Sequence, residues 1–120
     1  MNPAYPVEPR DPNGKSPPEP GAKLDAGKTR LALVLMGFAR ALEEVGKVGT
    51  FGANKYTDNG WESVPNGIER YTDAMLRHLL ATAMGELRDK ESGLHHDAHA
   101  AWCALARLEL TLRGEPNPWA

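Results

Sequence analysis

The stretch IERYTDAMLRHLLATAMGELR, Ile68 to Arg88, decides the fold. Its apolar residues Ile68, Met75, Leu79 and Ala83 recur at helical intervals and not in the strict alternation of a strand. Downstream, Leu94 to Arg113 repeats the pattern through Leu94, Ala98, Ala101, Leu105, Leu108 and Leu112. Gly114 stands where a C-terminal cap belongs and Ser92 where an N-cap does. Upstream, Phe38, Leu42, Val45 and Gly49 share one side of a helix predicted from Gly37 to Tyr56. The apolar run Leu31 to Met36 reads as a separate buried turn set off by Gly37, or as an extension of that helix. Turn chemistry separates the helices: Asp58-Asn59-Gly60 and Pro65 within Thr57 to Gly67, and the short turn Asp89 to Gly93. The expected architecture is all-α, a small bundle of three main helices. So small a bundle is expected to complete its core as a homo-oligomer, a dimer or tetramer.

The chain has 120 residues, and seven of its ten prolines fall within the first 20. Residues 1–24 therefore read as an extended, solvated, proline-rich arm. Residues 25–113 form the expected globular domain, and 114–120 a short tail containing Trp119, a candidate to dock on the body or on a neighbouring subunit. Fourteen Lys and Arg stand against 16 Asp and Glu. That balance lacks the basic field needed to grip duplex nucleic acid, although it permits a local phosphate pocket. The single Cys103 excludes an internal disulfide framework and a multi-cysteine zinc site. No apolar run is long enough to cross a bilayer, and the N-terminus lacks the layout of a signal peptide, so a soluble, cytoplasmic chain is expected.

Chemistry is sought where polar residues enter positions assigned to the core. On a helix continued to Arg88, Glu86 shares the direction of Ile68, and Asp89 follows at i, i+3. His78 lies about two turns before Glu86. Two readings stand: the pair chelates a hard divalent ion, or both carboxylates are solvated where the helix ends. His95, His96 and His99 open the last helix at spacings that allow a shared ligand, or simple hydrogen bonding. Glu44 lies at the edge of the first apolar stripe, with Lys55 on nearly the same side. The string from Gly21 to Thr29 mimics a P-loop, but its glycine spacing is wrong and prolines, not a strand, precede it.

Taken in order, several segments resemble a known family. They are Gly21 to Arg30, Thr50-Phe-Gly-Ala-Asn-Lys-Tyr56, Asn59-Gly-Trp61, Arg70-Tyr-Thr-Asp73, Arg77-His78, Gly85-Glu86, Asp89, Glu91-Ser-Gly93 and His96-x-x-His99. The family is the bacteriophage dATP/dGTP diphosphohydrolase N-terminal domain, akin to MazG-like all-α nucleoside triphosphate pyrophosphatases. The resemblance implies cleavage of a purine deoxynucleoside triphosphate to the monophosphate and pyrophosphate, with Mg²⁺ or Mn²⁺ held by acidic residues. Relatives carry E-E-x-x-E and a later E-x-x-D. This chain supplies the second as Glu86-Leu-Arg-Asp89, but Lys47 replaces the third glutamate of the first, after Glu43-Glu44.

On that resemblance Glu86 and Asp89 hold the ion, assisted by Glu44, His96 or His99, with His78 and Asp73 as further catalytic candidates. Lys55, Arg70 and Arg77 are expected to take the phosphates, Arg77 alternatively pairing with Asp73. Tyr56, Asn59 and Trp61 are expected to meet the base, Trp61 alternatively anchoring the core. Two other functions compete. His78 with His96-Asp97 echoes HD-type phosphohydrolases, without their downstream aspartate. A non-catalytic phage nucleotide-binding or assembly module is the other.

Overall fold

The computed structural model describes residues 8–115, which divide into two compact units, the residues to Gly37 and those from Phe38. Among the described residues there are four α-helices and no strand. They are α1 (Ala32–Leu35), α2 (Ala39–Lys55), α3 (Gly67–Ala83) and α4 (His96–Gly114), with a 3-10 turn at Gly60–Ser63. The all-α expectation is met.

In the first unit residues 8–24 form a chain of turns. Gly14 N–H donates to the Asp11 carbonyl, Glu19 N–H to Ser16, and Ala22 N–H to Glu19. The Asp11 carboxylate accepts the N–H groups of Asn13 and Lys15, an Asx-type arrangement that buries this one acid. Helix α1 is separate from α2, as one of the two readings had it. Its residues are exposed, however, and the expected buried turn is not seen: Leu33 is 60% and Met36 78% exposed. Trp119 lies outside the described residues.

In the second unit α3 and α4 pack side by side and antiparallel. Arg107 Nε donates to Thr72 Oγ1 at 2.6 Å near one end, and Thr82 Oγ1 donates to Asp97 Oδ1 at 3.2 Å near the other. Helix α2 lies against α4, with Gly49 beside the Trp102 indole and the Phe51 ring edge-on to His99. Trp102 meets Trp61 and Tyr71 in T-shaped contacts with centroids 6.0 and 5.5 Å apart. The Tyr71 hydroxyl donates to the Trp61 carbonyl, fixing the 3-10 turn on α3.

Three sequence expectations are corrected. Helix α3 ends at Ala83 and not at Arg88. Gly85 takes a φ of +93°, its N–H donates to the Thr82 carbonyl, and Glu86 N–H donates to the Ala81 carbonyl. These paired bonds form a Schellman cap, which favours glycine at the left-handed position. Helix α4 begins at His96, capped by the backbone of His95 and not by the Ser92 side chain. Finally, the leucines of α4 do not face the core. Its buried positions are His96, Ala98, His99, Ala100, Cys103 and Ala106, because small side chains let the helices approach closely. Leu105, Leu108 and Leu112 are each more than half exposed, on the side roughly opposite Cys103. Ile68 and Leu79 of α3 are also exposed.

Trp102→Ala should lower stability by about 3 kcal/mol, whereas Leu108→Ala should cost less than about 1 kcal/mol. Urea unfolding of dilute protein measures both, and the reverse order would contradict this assignment of faces.

Candidate metal centre

The Schellman cap turns the chain out of α3 and sends Glu86 to Leu94 back across the start of α4. Backbone pairing holds this return: His96 N–H donates to the Leu87 carbonyl at 3.0 Å, and Asp89 N–H to the Leu94 carbonyl at 2.8 Å. A single antiparallel bridge, Arg88 with His95, lies between them. Glu86 and Asp89 thus reach their places from a loop and not as adjacent turns of one helix. Asp89 opens a turn whose Ser92 N–H donates to Asp89 Oδ2 at 2.8 Å. Gly93 completes it with a φ of +74°.

Into this loop point three imidazoles. His78, from the middle of α3, meets His96 with their Nδ1 atoms 2.8 Å apart. His99, one turn along α4 from His96, stacks on His78 with centroids 4.5 Å apart and planes 12° from parallel. His78, Asp89 and His96 each offer a ligand atom, and those atoms lie within 4.8 Å of one another. Glu86 Oε2 is 3.6 Å from His96 Nε2, beyond hydrogen-bond range. His96 is 5% exposed, and its Nε2 is buried without a hydrogen-bond partner. A buried nitrogen left in this state carries a desolvation cost that a bound cation would offset. The donor set fits a divalent ion.

His99 stands differently. Ser92 Oγ accepts the Leu94 N–H and lies 2.7 Å from His99 Nε2. The hydroxyl and Nε2 share a hydrogen bond, which occupies that ring nitrogen and orients the ring against His78. This makes His99 a positioning residue for His78. The role of Ser92 was missed in the sequence, although the Asp89-x-x-Ser92 spacing of an Asx-type turn was its available signal.

Charge follows geometry. Burial lowers the pKa of His78, and the neighbouring His99 and His96 lower it further. Burial likewise lowers that of His99. Both rings are therefore held neutral, the form that binds metal or accepts a proton. Burial raises the pKa of Asp89, but hydrogen bonding from Ser92 and the charges of His99 and His78 outweigh it, leaving the carboxylate below its usual range.

The other candidates are placed elsewhere. Glu44 binds Lys47 at 2.7 Å and sits 3.8 Å from His95 Nδ1. The Lys47 hydrogen bond, foremost, holds the Glu44 carboxyl low. The lysine that replaces the motif's third glutamate thus engages the second. Asp73 is exposed, about 140° round α3 from His78, and forms no ion pair with Arg77 among the described residues. Lys55 pairs with Glu91 at 2.9 Å and lies over the Tyr56 ring. Arg70 donates to the Pro65 carbonyl. Arg77 is exposed beside His78 in the chain. Asn59 is exposed at the left-handed entry to the 3-10 turn, with a φ of +57°. Trp61 packs on Trp102 beneath the Arg113 guanidinium, the core-anchor alternative. Asp97, which the HD-type reading needs in the cluster, bonds Thr82 instead.

These features define an all-α domain with a histidine–carboxylate cluster at one end of a helical hairpin. The chain belongs to the dATP/dGTP diphosphohydrolase N-terminal family, whose profile matches residues 18–117. A relative from Salmonella phage PMBT28, named dATP/dGTP diphosphohydrolase, is 42% identical over 81 residues. The aligned region is 68% of this chain and 26% of that relative, so the chain spans about a quarter of the relative's length. No solved structure matches the chain significantly. No described helix is long and apolar enough to cross a membrane.

Because the folded pKa values of His78 and His99 lie below the ordinary imidazole value, their contribution to stability is present above about pH 6.5. It is lost as pH falls through the lowered folded values. Thermal unfolding of the metal-free chain should be level from about pH 8 to 7 and fall steadily toward pH 5. His99→Gln should flatten that fall; an unchanged pH profile would contradict the assignment.

Proposed function

We propose that this chain is the catalytic part of a metal-dependent diphosphohydrolase. It would cleave purine deoxynucleoside triphosphates, dATP and dGTP, to the monophosphate and pyrophosphate. The observation that carries the reading is the buried, unpartnered Nε2 of His96 among His78, Asp89 and Glu86. Family membership and the phage relative's printed name supply the substrate class. Mg²⁺ or Mn²⁺ is the cofactor the resemblance implies, held by Asp89, His78 and His96 with Glu86 alongside. When bound, such an ion screens triphosphate oxygens and lowers the pKa of an attacking water.

The remaining work falls to the chain. Asp89, kept ionised by Ser92, orients a water through its second oxygen. His78, kept neutral by burial, keeps its lone pair for the ion, and Glu86, outside the ligand set, accepts the proton which that water loses on attacking the α-phosphorus. Arg77, adjacent to His78 in the chain, meets the charge that grows on the departing pyrophosphate. Tyr56 and Asn59, exposed on one loop, are the proposed contacts to the base; Trp61 is excluded from that role by its packing. The same proposal includes the cytoplasm as the place of action and assembly of copies through the outward leucines of α4.

Asp89→Asn and His78→Gln should each lower pyrophosphate release from dGTP by about 100-fold or more, with unchanged circular dichroism. Release measured with Mn²⁺ and with Mg²⁺ tests this. Tripolyphosphate as the product would favour the HD-type chemistry, and no turnover of any deoxynucleoside triphosphate the non-catalytic module. Light scattering should give a multiple of 13.1 kDa. Leu105→Glu combined with Leu108→Glu should return the chain to the monomer mass; a wild-type monomer would overturn the assembly.

A further inference from the structure

We infer that the cluster selects a first-row transition ion of the Mn²⁺ to Zn²⁺ series over Mg²⁺, with His78 and His96 as nitrogen ligands. This rests on the reading of the cluster as metal-holding, and it concerns which ion the cluster prefers.

The donor atoms set the preference. Mg²⁺ prefers an all-oxygen shell, keeps several waters and dehydrates reluctantly. An acidic pair alone, as the sequence suggested, would suit it. The folded chain instead presents two imidazoles for each tightly clustered carboxylate, in His78, His96 and Asp89. Imidazole nitrogen favours Mn²⁺, Fe²⁺, Co²⁺ and Zn²⁺, with affinity rising along the series toward copper. The Nδ1 atoms of His78 and His96 are hydrogen-bonded to each other at 2.8 Å, which leaves the unpartnered Nε2 as the His96 nitrogen open to an ion.

The surroundings hold these donors in place. His96 is tied through its backbone N–H to Leu87, and His78 is stacked on His99, which Ser92 orients. Such outer partners fix ring orientation around metal ligands. His96 Nε2 remains buried and without a partner, so the side chain is desolvated on both edges while one nitrogen makes no hydrogen bond. Glu86 at 3.6 Å provides a second carboxylate to neutralise a divalent charge.

Co²⁺ is the probe, because its visible absorption reports nitrogen ligation directly. The full chain, freed of metal by chelator and dialysis, is titrated with Co²⁺ and separately with Mg²⁺ by calorimetry. Co²⁺ should bind at one site at least about 100-fold more tightly than Mg²⁺, with a d–d band stronger than that of the aqueous ion. His78→Asn and His96→Asn should each weaken Co²⁺ binding by at least about 10-fold, with Glu91→Gln unchanged as a control. Should either histidine variant misfold, the wild-type chain gives the answer. Zn²⁺ should shift the side-chain nitrogen resonances of His78 and His96 and leave those of His95 in place. Equal affinity for Mg²⁺ and Co²⁺, or Zn²⁺ shifts confined to other histidines, would overturn the inference. Turnover with Mg²⁺ and weak Co²⁺ binding would remove the inference and keep the hydrolase. Tight Co²⁺ binding at these histidines without turnover would do the reverse.

Discussion

The site depends on how one helix stops. If α3 ran on past Gly85, Glu86 would continue its spiral and Asp89 would lie a turn further along the same axis. The left-handed residue at Gly85 redirects the chain, and the two bonds to Thr82 and Ala81 satisfy carbonyls that would otherwise be orphaned. Everything that brings Asp89 to His78 and His96 follows from that turn, including the backbone pairing of the return segment with the entry to α4. Any side chain at position 85 would carry the strain of a positive φ, which glycine alone tolerates at low cost.

The second constraint is size. Helices α2 and α4 meet where Gly49 faces Trp102, and the buried positions of α4 besides its two histidines are all small, Ala98, Ala100, Cys103 and Ala106. Small residues at these contacts bring the backbones close enough for side chains as short as histidine to touch across the α3–α4 interface. Bulkier core residues would separate His78 from His96 beyond hydrogen-bond distance. The same choice leaves Leu105, Leu108 and Leu112 on the outside, giving α4 apolar character on two sides.

The helical class was legible because period carries it: Ile68, Met75, Leu79 and Ala83 cannot lie on one face of a strand. The direction of burial was not, since large apolar residues dominate a pattern while the buried positions are small ones such as Ala98, Ala100 and Ala106. The end of α4 was legible to within one residue, although Gly114 is its last helical residue and Glu115 its cap, and the end of α3 was missed at Gly85, where the apolar rhythm continues through the break. Glu86, Asp89, His78, His96 and His99 were all marked as chemically unusual. Which of them share a cluster depends on the antiparallel register of α3 and α4, and only packing discloses that. Glu44 illustrates the converse: its place in a motif drew attention, but Lys47 and His95 are the groups it faces.

That register has a consequence for the lengths of the segments. Thr72 joins Arg107 and Thr82 joins Asp97, with the His78–His99 stack between them, so α3 and α4 are fastened at both ends like rungs of a short ladder. Adding or deleting one residue of α3 between Thr72 and His78 would swing every later side chain through about 100°. Only in the connectors, such as residues 57–59 and 64–66, would an altered length leave the rungs aligned.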